Sequence, residues 1–110
     1  MTRTVYPGFF KDGFVLEHCL VMGCGSTYIG QNFNKDWLPR KNSTIAYNMF
    51  LDNGQTPILL KNHWEGTNSV HHNIVKHSGA DPGPVIQRNS ITVESVANCD
   101  IHHNWCEDTG

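Results

Sequence analysis

This chain of 110 residues has no long apolar run; its longest is far short of the roughly 20 residues needed to cross a bilayer. It has no 3.6-residue apolar period, so amphipathic helices of about 10–15 residues are not expected. Charge is sparse: eight Lys and Arg against ten Asp and Glu, a net −2 with His neutral. No Lys/Arg cluster tracks a groove, which argues against nucleic acid as a partner. Met1–Phe10 lacks the basic start and apolar centre of a signal peptide. The four cysteines, Cys19, Cys24, Cys99 and Cys106, form no C-x-x-C pair.

What the chain does have is repetition. Phe14–Gly25 (FVLEHCLVMGCG), Ser43–Gly54 (STIAYNMFLDNG), Asn68–Gly79 (NSVHHNIVKHSG) and Cys99–Gly110 (CDIHHNWCEDTG) align without a gap, and each ends in Gly. Their starts lie 29, 25 and 31 residues apart. The third column is apolar: Leu16, Ile45, Val70, Ile101. The sixth is Cys19, Asn48, Asn73, Asn104, and the eighth is Val21, Phe50, Val75, Cys106. β-Branched and aromatic residues broken by turn formers predict short strands. A weaker echo follows, in Tyr28–Asn32, Ile58–Asn62 and Val85–Asn89, with a further candidate strand at Ile91–Val96. A period of this length with two or three strands per repeat predicts a solenoid, in which each repeat buries its apolar face only against its neighbours.

The asparagine column has a physical role in such a stack. Where the chain bends between strands, backbone N–H and C=O groups lose their ladder partners. A buried Asn carries two donors and an acceptor, so stacked Asn can satisfy groups that would cost about 1–3 kcal/mol each if left unpaired. The terminal Gly of each dodecamer is expected to supply positive φ after the bend.

The four segments resemble the repeat of right-handed parallel β-helix proteins, a superfamily that includes pectate lyases, other polysaccharide lyases, β-helix glycosidases and uronan epimerases. The resemblance covers roughly Gly13 to Gly110. It implies an all-β, right-handed parallel β-helix of about four rungs, one unit over residues 1–110. It also implies an extracellular or cell-surface setting and a polysaccharide as partner. The chain reads as a segment lacking caps, and a natural four-rung protein would close its open ends by oligomerising. The first repeat departs from the pattern at Cys19, Gly23 and Cys24 and is expected to be the least regular. With about 4.8 Å per rung, the two cysteine pairs lie about 14 Å apart and cannot share one zinc ion. Cys106 falls in an apolar column and is expected to pack as a small hydrophobe. No cofactor is implied.

Histidine is concentrated. Five of the seven fall in the last two repeats: His71, His72, His77, His102 and His103. Stacking turns them into columns. The fourth is Glu17, Ala46, His71, His102, the fifth His18, Tyr47, His72, His103, and the tenth Gly23, Asp52, His77, Asp108. In-register neighbours should sit about 5 Å apart. Tyr47, His71, His77 and His102 are therefore candidate sugar-binding residues, with ring faces offered to pyranose rings. For lyase or epimerase chemistry, His72 or His103 would be the base, Lys76 the cation that neutralises a uronate carboxylate, and Tyr47 an acid. For hydrolysis the carboxylates would be Asp52 and Asp108, about 9–10 Å apart between backbones, near the upper end for an inverting pair. Each of these is also the kind of residue a solvated outer face carries. Paired His with Asp108 could alternatively hold zinc or copper, though no motif spacing supports it. The strip is too poor in carboxylates for a calcium site. Leu20, Met49, Ile74 and Trp105 in the seventh column read as core or half-buried packing. Trp37 and Trp64, in the inter-repeat loops, could be sugar platforms or edge covers. A non-catalytic scaffold or adhesin that binds glycan or protein is the alternative reading of the whole.

Overall fold

The computed structural model describes residues 12–23, 27–30, 41–54, 56–63, 66–78 and 90–109. No helix occurs among them. Each dodecamer folds into two short strands separated by a two-residue bend: β1 (Val15–Glu17) and β2 (Leu20–Met22), β4 (Thr44–Ala46) and β5 (Met49–Leu51), β7 (Asn68–His71) and β8 (Ile74–Ser78), β10 (Cys99–His102) and β11 (Trp105–Thr109). A third strand follows each of the first three repeats: β3 (Thr27–Gly30), β6 (Ile58–His63) and β9 (Ile91–Val96).

The strands sort into three parallel sheets, one for each position in the repeat: β1-β4-β7-β10, β2-β5-β8-β11 and β3-β6-β9. The register is that of the sequence columns. Leu16, Ile45, Val70 and Ile101 are successive partners, as are Val21, Phe50, Val75 and Cys106. These two columns point inward. Ile45, Phe50, Val70 and Val75 join Ile58 and Leu60 in one core without solvent exposure. Side-chain alternation locks this register, because a slip of one residue would turn every core side chain outward. The last repeat has no neighbour on its far side among the described residues. Ile101 and Cys106 occupy inward columns there yet are exposed, so Cys106 does not pack as a buried hydrophobe.

In the third sheet, Thr27 pairs with Ile58 and Ile58 with Ile91. The echo aligned Tyr28 with Ile58, one residue out of register. Alternation is again the reason: Ile58 and Leu60 both point into the core, and Ile29, Leu60 and Val93 are partners. Ile91–Val96 is the strand in the third repeat. Val85–Asn89 lies outside the described residues.

The asparagine column does what its chemistry demands. Asn48 Nδ2 donates to the Leu16 carbonyl (2.9 Å), Asn73 Nδ2 to that of Ile45 (2.9 Å) and Asn104 Nδ2 to that of Val70 (3.0 Å). The same amides also bond each other, Asn48 to Asn73 Oδ1 and Asn73 to Asn104 Oδ1, both at 3.0 Å. Asn48 Oδ1 accepts the Cys19 backbone N–H at 3.0 Å, so the ladder reaches the first repeat but no side-chain amide continues it there. Separate asparagines serve the two ends of the dodecamers, with Asn68 Oδ1 accepting from the Ser43 N–H and Asn53 Nδ2 donating to the Val21 carbonyl.

Positive φ falls elsewhere than expected. Gly54 is not a left-handed residue, and Gly25, Gly79 and Gly110 lie outside the described residues. The left-handed conformation is carried by the fifth column (His18, Tyr47, His72, His103, φ 52–57°), the tenth (Gly23, Asp52, His77) and residues just ahead of the dodecamers (Gly13, Asn42, Gly66, Asn98). Two residues join the strands of a dodecamer, and the first of them carries the positive φ that turns the chain. His and Asp tolerate this region better than most residues, whereas Tyr is an outlier.

Candidate functional site

The fifth column makes the site. A left-handed residue at each bend throws its side chain outward, and the parallel register sets equivalent rings one above another. His18 stacks on Tyr47 (5.3 Å between centroids, 7° between planes), Tyr47 on His72 (5.0 Å, 19°) and His72 on His103 (4.8 Å, 2°). In the fourth column His71 stacks on His102 at 4.9 Å and 2°. The two stacks meet edge to face, and Tyr47 also meets His71 in this way at 5.4 Å.

This arrangement alters the expected mode of contact. Within the fifth-column stack each ring face is covered by its neighbour, apart from the outer faces of the end members. The rings therefore offer edges and heteroatoms to a ligand instead of flat faces. Nδ1 of His71 lies 2.8 Å from Nδ1 of His72, and the same atoms of His102 and His103 are 2.7 Å apart. Nε2 of His72 and His103 and the Tyr47 hydroxyl have no hydrogen-bond partner among the described residues. Loss of water around the packed His72 ring, and then the neighbouring imidazoles of His103, His71 and His102, hold its pKa below the ordinary value. Asp100 stands 3.7 Å from His102 Nε2.

Beside the rings runs a shallow groove lined by His18, Tyr47 and His72 on one side and Leu20, Met49 and Ile74 on the other, with Cys19 and Asn48 between. The seventh column is thus not core, and only Ile74 in it is half-buried. It faces outward, with Leu20 61% and Trp105 64% exposed. Strict alternation predicts this once the eighth column is placed inside. The missed signal was the strand boundary, which the short three-residue strands obscure. Trp105 Nε1 donates to Glu107 Oε2 at 3.1 Å, and Lys76 Nζ lies 3.6 Å from that same oxygen. The Trp105 bond, and then the Lys76 charge, hold the Glu107 carboxyl below the usual carboxylate range.

The expected site residues separate into two rows. Tyr47, His71, His72, His102 and His103 come together at the bend. Lys76 sits in the ninth column, in β8 beyond the bend from His72, and is paired with Glu107. Asp52 and His77 occupy the exposed tenth-column bends. Asp108 lies in β11, in the register position opposite His77, and its side chain is outside the described residues. Among the described residues, no ion pair or hydrogen bond joins Lys76 to the imidazoles at the bend. Among the described residues, no group of three His, Cys, Asp or Glu side chains is arranged to hold a metal ion. Cys19, Cys99 and Cys106 are free thiols, and burial, then the Asp100 charge, raises the pKa of Cys99. Cys24, Trp37 and Trp64 lie outside the described residues.

Fold and site together define an all-β repeat protein of parallel sheets with a ladder of rings on its outer face. Compared with known proteins, the chain matches no family model, no curated protein and no solved structure. Among the described residues, no helix is long and apolar enough to cross a membrane.

Proposed function

We propose that the four repeats are successive rungs of a right-handed parallel β-helix, part of a carbohydrate-binding protein outside the cell or at its surface. The outer face at the fifth-column bend binds an extended polysaccharide. The observation that carries this reading is the unbroken ring ladder of His18, Tyr47, His72 and His103 beside an apolar groove. It offers hydrogen-bonding edges at a regular spacing and an apolar wall parallel to them. A sugar polymer has the matching pattern, with hydroxyl edges and CH faces repeating along one line.

Binding is favoured over cleavage. Lyase or epimerase chemistry needs a cation free to meet the uronate carboxylate beside the base, and Lys76 is engaged by Glu107. One observation supports a catalytic second reading. The lowered pKa keeps His72 neutral near pH 7, the state a general base requires, and Tyr47 is stacked against it. Both readings are tested by the double variant His72→Ala/His103→Ala on a polysaccharide panel that includes polyuronates, with binding and turnover measured together. Loss of binding without any wild-type turnover supports the binding reading. Turnover lost in the double variant supports the catalytic one. Unchanged binding and turnover remove this face from either function.

A further inference from the structure

The outer face of sheet β2-β5-β8-β11 restricts which glycan the site can take, granted that it binds a glycan at all. Its seventh column is an apolar line of Leu20, Met49, Ile74 and Trp105, with Met22 and Leu51 beside it in the ninth. The indole of Trp105 is exposed and tied at Nε1 to Glu107, so its ring is held on this face. The ring ladder borders the line on one side.

Charge on this face does not suit a polyanion. Its one described cation, Lys76, is paired with Glu107. Glu17, Asp52 and Glu107 flank the strip, and His72 is held neutral near pH 7 by the packing of its neighbours. A uronate or sulfate chain would meet carboxylates without a free counter-charge.

Size argues against a globular partner. Four strands at about 4.8 Å and five residues at about 3.3 Å make a strip roughly 14 Å by 13 Å. That is far below the ~800 Å² per partner of a stable protein interface. It suits a short length of a linear chain.

We infer that the ligand is a neutral, extended, equatorially linked oligosaccharide lying across the strands, its CH faces on the Leu20–Met49–Ile74–Trp105 line and its hydroxyl edge on Tyr47 and His72. In such a chain both pyranose faces are lined by axial C–H bonds and the hydroxyls project sideways. Its residue repeat is close to one strand spacing. Hydroxyls can then meet successive ring heteroatoms while the sugar bodies stay on the apolar line, and a terminal sugar stacks on the open Trp105 indole, the usual use of an aromatic with one free face.

The test uses the purified chain at pH 7.5, titrated calorimetrically with neutral β-1,4-linked hexaoses of glucose and xylose and with a hexagalacturonate. A neutral hexaose should bind and quench indole fluorescence. Trp105→Ala should weaken it at least tenfold, and Trp105→Phe should weaken it less. Thr44→Ala, on the outer face of the neighbouring sheet, should leave it unchanged, and circular dichroism of each variant checks that the fold is kept. Tighter binding of the hexagalacturonate than of any neutral hexaose overturns this inference but leaves the glycan-binding reading standing, whereas binding of neither class overturns both. Sedimentation that shows a dimer dissociated by Trp105→Ala would assign the strip to a second copy of the chain and overturn the inference as well.

Discussion

Nδ1 of His71 and Nδ1 of His72 face each other at 2.8 Å, and only one of them can carry a hydrogen there. When both rings are neutral, one must be the Nδ1–H tautomer and the other the Nε2–H tautomer. The His102–His103 pair repeats the constraint at 2.7 Å. Each pair can gain one proton without losing the contact, but a second would set two N–H groups against each other. Long-range ¹H–¹⁵N spectra of the histidine side chains at pH 7.5 should show two rings with a protonated Nδ1 and two with a bare Nδ1. Four identical tautomers would disprove the pairing.

Acid should destabilise the fold through the same cluster. The folded-state pKa of His72 lies below its ordinary value, so the unfolded chain binds more protons than the folded one as pH drops through the imidazole range. The stability is present above the ordinary histidine pKa and is lost as pH falls through the lowered value. Glu107 acts in the same direction at lower pH, because its carboxyl is also depressed. Tm should therefore fall between pH 7.5 and pH 5. His72→Tyr places in the third repeat the residue that already adopts this bend and stack at Tyr47. It should flatten the pH dependence, and an unaltered profile would place the acid sensitivity elsewhere.

The asparagine ladder should be the costliest polar feature to break. Asn73 is fully buried, and its side chain serves the Asn48 N–H, the Ile45 carbonyl and both neighbouring amides. Asn73→Ala strands at least two buried backbone groups and should cost about 2–5 kcal/mol in chemical denaturation. Cys19→Asn extends the ladder into the first repeat and should add about 1 kcal/mol. A destabilised Cys19→Asn would mean that the first bend cannot hold an amide.

The bends can be separated from the stack. Asp52 and His72 both have positive φ, at 54° and 52°, but only His72 lies in a described ring stack. Asp52→Gly removes the left-handed penalty and should stabilise by up to ~1 kcal/mol, with glycan binding retained. His72→Gly gains the same backbone freedom but interrupts the ladder, so binding should fall even if stability does not. Equal loss of binding in both variants would implicate Asp52 in the site.

Thr56 is buried, and its hydroxyl has no hydrogen-bond partner among the described residues. Thr56→Val keeps the shape and removes the orphaned group. Thermal unfolding should show a stabilisation of about 1–2 kcal/mol. A loss of stability would reveal a partner for that oxygen.

Much of this was legible in the letters. The columns that align in the dodecamers are the columns that pair in the sheets, and the Asn line is a hydrogen-bonded ladder because a short carboxamide can serve both a bend and its neighbour. The third strand was harder to place. Ile91–Val96 competed with a similar-looking segment, and only the inward direction of Ile58 and Leu60 set the register. The pattern points to the terminal glycines for positive φ, yet Gly54, the one described, does not adopt it, and nothing in the letters of Tyr47 and the histidines advertises the left-handed conformation they carry.

The sequence by itself determined the repeat, its period, the parallel stacking and the closeness of the histidines, since a recurrent apolar and Asn pattern can bury itself only against its own copies. Tertiary structure alone decided how those rings meet. Once the bends take the left-handed conformation, the rings turn face to face, their edges become the contact surface, and Leu20, Met49, Ile74 and Trp105 are left on the outside. Which side of a strand a residue faces depends on where the strand begins, and for three-residue strands that boundary is set by packing and by the bend, not by local propensity.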